Sequence, residues 1–424
     1  MSLRWYTSGL ALVAAAAVAG AGAVAHSAST GVAAINLPAA QANADNYDAA
    51  PAWEAPGPAF DAKKAGGKSV FVIPANPDAS LLASVGGMIG GIRQAAKTVG
   101  VNVYSCNNDG SDADWSACFT RATAKKVNAI VLVGGTEPSS MASHVKAATS
   151  AGISVIASHV PNPDDFTGSV AASYAQSEAG LTAIVPAAYA EIGKLLADEV
   201  VVDRPTPTGR FLIIGSSDIP ANAGLLASVE AELTAVCGPA CPVDTIDIPY
   251  ADWQTQAIPM AQAATLAKNT TTFIPLFDKI DPLLAEGVHD ARNASPIVVQ
   301  PRIHSYGGST VAIQMGQDNN RVEGDVAEDM NWLGWATMDQ VLRVLTGVKP
   351  VDDEDTGLRF VDDDAWGAEG VGPEGWSFPP LLDQGWGDPR GDDGWITGYT
   401  KLWGVPIKSD GYQLSGGSSG GDDD

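Results

Sequence analysis

Lys68-Ser-Val-Phe-Val-Ile-Pro74 begins an alternation of short apolar runs and longer helical segments that continues to Val160. Short runs rich in β-branched residues are typical of strands that are covered on both faces of a parallel sheet. The pattern predicts strands at residues 69–73, 101–104, 129–133 and 153–157, and helices at residues 80–99, 114–126 and 138–151. Strands that alternate with helices of this length predict an α/β fold with a doubly wound parallel sheet.

The carboxyl ends of these strands are the first candidates for a binding site, because ligands of open parallel sheets bind beyond that edge. The chain there reads Pro74-Ala-Asn76, Cys106-Asn-Asn108, Gly134-Gly-Thr136 and Ser158-His159. From this position Asn76 is predicted to contact a ligand.

A second series of the same kind follows, and it starts with a long amphipathic helix predicted at residues 174–201. The remaining strands are predicted at residues 210–214, 243–248, 272–276, 296–299 and 323–328, and the helices at 222–236, 254–268, 282–291 and 331–345. Two successive units, each large enough for its own sheet, predict two similar lobes. A cleft between lobes is a common ligand site.

The beginning of the chain differs in composition from the lobes. Residues 1–29 carry Arg4, then an apolar run of small residues and Ala23-Val-Ala25, which together predict a cleaved secretory signal peptide. An uncleaved anchor is the alternative. No cysteine lies in this segment, so no lipid anchor is expected there. Residues 30–67 are rich in Ala, Pro, Asn and Asp and are predicted to form a linker.

Residues 349–405 form an acidic extension rich in tryptophan, which includes Trp366, Trp376, Trp386, Trp395 and Trp403. Aromatic residues in a loop-rich segment favour packing onto a neighbouring lobe, with a carbohydrate-binding or partner surface as the alternative. Residues 362–364 are all aspartate but lack the spacing of a calcium-binding loop, so no metal site is expected. Residues 406–424 are predicted to be a flexible polar tail.

Four cysteines favour disulfides in an exported protein. Local pairing of Cys106 with Cys118 and of Cys237 with Cys241 is the simplest of the three connectivities, and free buried thiols are the alternative.

Charge and motifs narrow the function classes. The formal net charge of −25 and the pI near 4.3 argue against nucleic acid and anionic membranes as partners. The sequence contains no P-loop, no G-x-S-x-G motif, no H-E-x-x-H motif and no His/Cys cluster with metal-ligand spacing. These absences favour a binding protein without a cofactor over an enzyme.

Four segments together resemble the type I periplasmic binding proteins of sugar ABC transporters. They are Lys68-Ser-Val-Phe-Val-Ile-Pro74, Asn128-Ala-Ile-Val-Leu-Val133, Ala147-Ala-Thr-Ser-Ala-Gly-Ile-Ser-Val-Ile156 and the late segment from Val326 to Gly347. The resemblance spans about residues 68–350. Related repressors share the fold, but their DNA-binding helices are replaced here by the predicted signal peptide.

The resemblance implies two lobes that close on one small ligand about a hinge of three crossings, near Ala172, Glu328 and Val348. The implied lobes are residues 68–172 with 329–348, and residues 173–328. The family's ligand contacts fall on His159, on Trp253 as the aromatic that covers a sugar ring, on Phe277 and Asp278, near Arg302, and on the hinge residue Glu328.

Departures from the family pattern change the expected ligand. Phe277 replaces an asparagine and Arg302 replaces an aspartate, and a guanidinium suits a carboxylate. We therefore expect a small sugar-like ligand with fewer hydroxyls than ribose, or one that bears an acid group. The implied function is a monomeric, secreted or periplasmic solute-binding protein that serves an ABC permease. The alternatives are a receptor for a sensor kinase, and an exported hydrolase with Asp278 and Glu328 as paired carboxylates.

Overall fold

The structure is a computed structural model that describes residues 35–48, 51–75, 87–107, 111–134, 141–177, 180–205, 209–267, 269–296, 299–318, 321–362 and 394–405. The predicted signal peptide, residues 1–29, and the predicted tail, residues 406–424, lie outside the described residues. Within these ranges the chain forms two sheets.

The helices are α1 Leu37–Ala44, α2 Met88–Val99, α3 Asp112–Lys125, α4 Ala142–Ser150, α5 Gly168–Ser177, α6 Tyr189–Asp203, α7 Asn222–Val236, α8 Trp253–Leu266, α9 Asp281–Ala294, α10 Thr310–Gln317, α11 Met330–Thr346 and α12 Trp395–Leu402. The strands are β1 Ser69–Pro74, β2 Asn102–Ser105, β3 Ala129–Val133, β4 Ser154–Pro161, β5 Ala183–Ala187, β6 Arg210–Gly215, β7 Val243–Asp247, β8 Thr270–Pro275, β9 Arg302–Gly307, β10 Val322–Glu328 and β11 Leu358–Asp362.

The first lobe is built on a sheet with the order β2-β1-β3-β4-β5, in which every neighbouring pair is parallel. Strand β1 shows why both faces must be covered. Val70 and Val72 belong to the apolar core on one face, and Phe71 and Ile73 belong to the core on the other. Successive side chains of a strand point to opposite faces, so a continuous apolar run needs helices on both sides.

The second lobe is built on a sheet with the order β11-β10-β9-β8-β6-β7, which is parallel except for the β10–β11 pair. Two separate apolar cores lie on its faces, one beneath α6 and α7 and the other beneath α8 and α9. The prediction of two doubly wound α/β lobes is confirmed.

The predicted helix at residues 174–201 is wrong, because this stretch contains a strand. Helix α5 and helix α6 are separated by β5, which pairs with β4 at the edge of the first sheet. Gly180, with φ of 89°, interrupts the helical backbone before the strand. The chain therefore crosses to the second lobe between β5 and α6 rather than near Ala172. Two more crossings lie between β10 and α11, as expected near Glu328, and between α11 and β11.

The strand that follows α9 begins later than predicted. A strand was predicted at residues 296–299 because Ile, Val and Val follow one another there. Val299, however, is 49% exposed and lies outside any strand. The strand is instead β9, whose polar residues His304 and Ser305 are buried. His304 Nε2 is hydrogen-bonded to Asp203, and the Ser305 hydroxyl donates to Asp325, so each residue has a partner in the interior.

The prediction of a linker at residues 30–67 is wrong for the described part of that segment. Helix α1 packs on α6 and buries Ala40 and Ala44 completely or nearly so. Ala62 and Ala65, a few residues before β1, are buried in the core of the first lobe. Alanines spaced three or four residues apart give a helix a narrow apolar face, which explains why the segment docks despite its polar composition.

The described parts of the tryptophan-rich extension also pack on the lobes. Strand β11 extends the second sheet, and α12 packs on α11 of the first lobe. The Trp335 and Trp403 rings stack with their centroids 5.4 Å apart, and the Trp403 indole donates to Asp339 Oδ1 at 2.6 Å. Trp366, Trp376 and Trp386, together with Asp363 and Asp364, lie outside the described residues.

Both predicted disulfides are present, which confirms local pairing. The Cα atoms of Cys106 and Cys118 are 5.9 Å apart, and those of Cys237 and Cys241 are 5.7 Å apart. Among the described residues, no helix is both long and apolar enough to cross a bilayer.

Helices α2 and α11 approach each other through two glycines. A Cβ atom on Gly91 would lie 2.3 Å from the carbonyl oxygen of Asn331, and one on Gly334 would lie 2.3 Å from that of Met88. Backbone atoms cannot move away as a flexible side chain can, so neither position has room for a methyl group.

Replacing Gly91 with alanine is therefore expected to lower the free energy of unfolding by about 3 kcal/mol, because α2 and α11 must separate. Urea unfolding followed by circular dichroism measures the change. Lys97→Ala, at an exposed position of the same helix, should stay within about 0.5 kcal/mol of the unmodified protein. Equal stabilities of the two variants would contradict the close packing.

Buried carboxyl groups lie where α1 and β11 meet α6. Burial, followed by the charges of Asp362 and Asp48, raises the pKa of Glu199 to about 9. Burial, followed by Glu232, raises the pKa of neighbouring Asp198 to about 7. Glu199 is therefore protonated in the folded protein at neutral pH.

A pKa that is higher in the folded protein than in the unfolded chain stabilises the fold at low pH, and this contribution is lost as pH rises through the folded pKa. We expect the free energy of unfolding to fall between pH 6 and pH 9, with a slope of up to about 1.4 kcal/mol per pH unit for each proton released. Urea midpoints at both pH values test this. Glu199→Gln should flatten the dependence, whereas the exposed Glu286→Gln should leave it unchanged.

Candidate functional site

The candidate site lies where the carboxyl ends of the two sheets meet, beside the crossings. His159 is near the end of β4, Tyr189 is the first residue of α6, Tyr306 is near the end of β9, and Glu328 ends β10. The first residue belongs to the first lobe, Tyr189 follows a crossing, and the last two belong to the second lobe. Hydrogen bonds join all four side chains.

The backbone at His159 explains how its ring reaches the other lobe. The register between β4 and β5 shifts between Ser158 and Val160, and His159 has φ of 60°. A β-bulge re-aims the bulged side chain, and positive φ is uncommon for a residue with a Cβ. The strained residue is held by its contacts across the lobe boundary, as is typical of functional positions.

Glu328 is the centre of the hydrogen-bonded group. Its Oε2 atom lies 2.8 Å from His159 Nε2 and also accepts a hydrogen bond from the Tyr306 hydroxyl. His159 Nε2 is in turn 3.1 Å from the Tyr306 oxygen. The Glu328 side chain is only 3% exposed, so these two donors replace the water that the carboxylate has lost.

A proton on His159 Nε2 is compatible with these contacts. Nε2–H then donates to Glu328, and Nδ1 accepts from the Tyr189 hydroxyl at 3.4 Å. Burial, followed by the charge of Glu328, raises the pKa of both Tyr189 and Tyr306 well above the usual value. Both phenols therefore remain donors throughout the physiological pH range.

A second contact between the lobes comes from the segment that follows β4. The Tyr174 hydroxyl donates to Pro220 O at 3.1 Å and accepts from Gly224 N at 2.9 Å, at the start of α7. The Phe166 ring lies against Gly224, where a Cβ atom would be 2.7 Å from the ring. Gly224 thus makes room for an aromatic side chain of the other lobe.

Asp278 lies on the second lobe at the predicted position but is closely engaged by the protein. It is 3% exposed, and its Oδ2 accepts from Ser309 N at 2.6 Å. Burial raises its pKa, and hydrogen bonds from the hydroxyl and amide of Ser309 oppose that rise. Gly307, with φ of 154°, passes so close that a Cβ there would lie 2.4 Å from the carboxyl carbon of Asp278.

Two further buried acids, Asp281 and Asp325, adjoin Asp278 and were not predicted from the sequence. Burial, followed by the charge of Asp278, raises the pKa of both well above the usual value. Asp325 accepts from the Ser305 hydroxyl at 3.0 Å and from the amide of Gly308 at 2.7 Å. Burial and mutual repulsion thus favour the protonated forms of these acids more than in an exposed aspartate. Across the described residues, no group of three or more His, Cys, Asp or Glu is arranged to hold a metal ion.

The aromatic candidates have different surroundings. Trp253 is 5% exposed in the core on one face of the second sheet, and its indole donates to Ser216 Oγ and to Ile248 O at 2.8 and 3.0 Å. It is therefore placed as a core residue rather than as a cover for a ligand ring. Phe277 is half-buried just beyond β8 and keeps an exposed part.

Arg302 is not brought together with His159, Tyr306 and Glu328. It is the first residue of β9, at the end of the strand opposite to the carboxyl edge, where it pairs with Glu323. Five residues at about 3.3 Å each put roughly 16 Å between Arg302 and the edge at Gly307. The delayed start of β9 is the cause, and the acid-bearing ligand inferred from Arg302 loses its basis.

The remaining candidate, Asn76, lies outside the described residues. Tyr189 and Tyr306 were not predicted as site residues, because the strands that place them were not predicted at these positions. Tyr189 lies just after β5, and Tyr306 lies near the end of β9. Ser305-Tyr-Gly-Gly-Ser309 was the available signal, since paired glycines after a buried run mark a strand end.

Comparison of folds gives solved structures of ABC transporter solute-binding proteins. A protein from Burkholderia graminis in complex with D-arabinose matches with a TM-score of 0.58 and 15% identity over 72% of this chain and 98% of that one. A protein from Mycobacterium smegmatis with bound glycerol matches with a TM-score of 0.56 and 15% identity over 70% and 94%. The Caulobacter myo-inositol binding protein matches with a TM-score of 0.55 and 15% identity over 69% and 92%.

The chain thus has the fold of the type I periplasmic binding proteins, as its sequence resemblance implied. No protein-family model matches the sequence, and no curated protein matches it. At this level of identity the similarity establishes the fold, while the ligand must be argued from the chain's own residues.

The coupling between His159 and Glu328 can be measured with a double-mutant cycle of His159→Ala and Glu328→Ala. We expect a coupling energy of about 2 kcal/mol in urea unfolding, because a buried carboxylate loses a partner. The half-exposed pair Arg302 and Glu323 is the control, with expected coupling below about 1 kcal/mol. Additive effects of the first pair would contradict the proposed contact between lobes.

Proposed function

We propose that the protein is a secreted solute-binding protein that captures a small uncharged solute between its lobes and delivers it to an ABC permease. The observation that carries this proposal is the hydrogen bonding of His159 to Tyr306 and Glu328, which joins the carboxyl edges of two separate sheets. Parallel sheets bind ligands beyond that edge. Similarity in fold to proteins with bound D-arabinose, glycerol or myo-inositol supports a ligand of this size.

The proposed mechanism is closure of the lobes about the crossings. A ligand that contacts both lobes favours the closed arrangement by its differential affinity for the two states. The crossings from β5 to α6 and from β10 to α11 are each one residue long, so small backbone rotations there turn one lobe relative to the other. The closed shape is the form that a permease would recognise.

The contacts of the two candidate carboxylates favour binding over hydrolysis. A pair of catalytic carboxyl groups must reach the substrate to transfer protons. Glu328 is engaged by His159 and Tyr306, and Asp278 is buried and bound by Ser309. We therefore propose a receptor that releases its ligand unchanged and needs no cofactor.

Export is supported by two features of the chain. Residues 1–29 are predicted to be a signal peptide, and both cysteine pairs form disulfides, which persist in oxidising compartments. We propose a location in the cell envelope or outside the cell, and a monomeric state.

The proposal is tested by native mass spectrometry of the protein purified from its own host, followed by small-angle X-ray scattering. We expect a co-purified small molecule, and a smaller radius of gyration with that molecule than without it. Mass spectrometry before and after incubation should recover the molecule unchanged. A chemically altered product, or binding without any change in the radius of gyration, would contradict the receptor function.

A further inference from the structure

One segment of the first lobe, residues 162–177, reaches across to the second lobe, and we call it the bridging segment. It begins where β4 ends and contains a 3₁₀ turn, Pro163–Asp165, followed by helix α5. It is the larger part of the connection from β4 to β5, which runs from residue 162 to residue 182. Most connections in compact domains are about 4–6 residues long, and much longer ones are often lids over binding sites.

The two ends of the bridging segment lie at the carboxyl edges of different sheets. Its start follows the carboxyl end of β4, close to His159. Its partners on the second lobe are Pro220, in the turn after β6, and Gly224, in the first turn of α7. Strand β6 runs parallel to β8 and β9, so its carboxyl end lies at the edge that Tyr306 shares with His159. The bridging segment therefore spans the cleft between the lobes.

Helix α5 is attached to the second lobe mainly through one side chain. Tyr174 is 4% exposed, and its hydroxyl makes two hydrogen bonds there, to Pro220 O and from Gly224 N. Of the α5 side chains that the structure describes, Tyr174 is the one that is buried, and its neighbours Ser173 and Ala175 are exposed. Elements with few buried contacts open at a lower free energy than the whole protein.

The ends of α5 can act as hinges. Gly168, its first residue, has φ of 64°, and Gly180, just beyond its end, has φ of 89°. Glycine enters and leaves this region of backbone conformation at little cost, and hinges are commonly placed at the ends of elements. Helix α5 can therefore turn as a unit when Tyr174 is released.

Charges at the base of the bridging segment oppose its docking. Burial, followed by the charges of Asp353, Asp164 and Glu191, raises the pKa of Asp165. These carboxylates belong to the bridging segment, to α6 and to the chain after α11. Because their repulsion favours separation, the contacts of Tyr174 with α7 are needed to keep the segment in place.

We propose that the bridging segment is a lid over the cleft, that it undocks from α7 to admit and release the solute, and that the Tyr174 hydroxyl determines how often it opens. This inference rests on the proposed receptor function. Tyr174 is a positioning residue, since it acts through the lid and not by contact with the solute. Its bonds join protein to protein, so their loss speeds entry and release alike.

Hydrogen exchange followed by mass spectrometry measures the opening of the lid in the full-length protein. We expect residues 162–177 to exchange faster than β6 and β8, because the lid opens without unfolding of the lobes. Tyr174→Phe keeps the ring beside Phe166 but removes both hydrogen bonds, and it should speed exchange of the lid about tenfold. Tyr104→Phe, at an exposed position of the first lobe, is the matched control and should leave exchange unchanged.

Access to the cleft is measured with iodoacetamide as the probe. The four native cysteines are paired, so Phe277→Cys supplies the only thiol, at a half-buried position just beyond β8. We expect Tyr174→Phe to speed alkylation of this thiol about tenfold, in step with the opening of the lid. Val299→Cys, at an exposed position outside the sheets, should react at the same rate with and without Tyr174→Phe.

Gly224→Ala tests the same contact from the second lobe. Its Cβ atom would lie 2.7 Å from the Phe166 ring and 3.0 Å from the Tyr174 hydroxyl, so it should displace the lid and speed both exchange and alkylation. A variant that keeps the cooperative urea transition of the unmodified protein shows that the lobes remain folded.

Two outcomes would overturn the lid while leaving the receptor function intact. One is exchange of residues 162–177 that is as slow as that of β8 or that Tyr174→Phe does not change. The other is faster exchange of the lid with unchanged alkylation of Phe277→Cys, which would show that the segment does not control access. The receptor function fails separately, when the co-purified molecule produces no closure of the lobes.

Discussion

The contact between the two lobes depends on the burial of one carboxylate, that of Glu328. Glu328 has lost its water, and the donors that compensate come from His159 on one lobe and Tyr306 on the other. A buried charge without partners is strongly destabilising, so the lobes are held where both donors reach the same oxygen. The next residue, Asp329, caps α11 by accepting from the amides of Asn331 and Trp332, which ties this position to the crossing itself.

Helix α11 explains why residues 51–65 and α12 belong to the fold. Nearly all of its residues are buried, including the ion pair of Arg343 with Asp339. A helix buried on every side needs partners beyond one sheet, and α12 with residues 51–65 supplies them. Trp403 donates to Asp339, and Phe60 lies under the Arg343 guanidinium with 4.8 Å between that group and the ring centre. Residues 51–65 and α12 therefore provide partners for the buried Arg343–Asp339 pair inside the first lobe.

The sequence was sufficient for the architecture because a parallel sheet leaves continuous apolar runs that a reader can find. It was less informative where burial is achieved by pairing polar groups. Strand β9 contains His304 and Ser305, which look exposed until Asp203 and Asp325 are placed beside them. The strand was instead predicted at the neighbouring apolar residues 296–299. Because the strand was predicted a few residues too early, Arg302 was expected just after its carboxyl end, in the site. It is in fact the first residue of the strand, and the acid group expected on the ligand had depended on the predicted position.

The binding chemistry was harder to predict for the same reason. A carboxylate in a cleft can accept hydrogen bonds from ligand hydroxyls, or it can accept them from the protein, as Asp278 does from Ser309. Residue type alone does not distinguish the two cases. Burial and hydrogen bonding of such a carboxylate can be read only once the neighbouring strands are placed, because Ser309 lies 31 residues away along the chain.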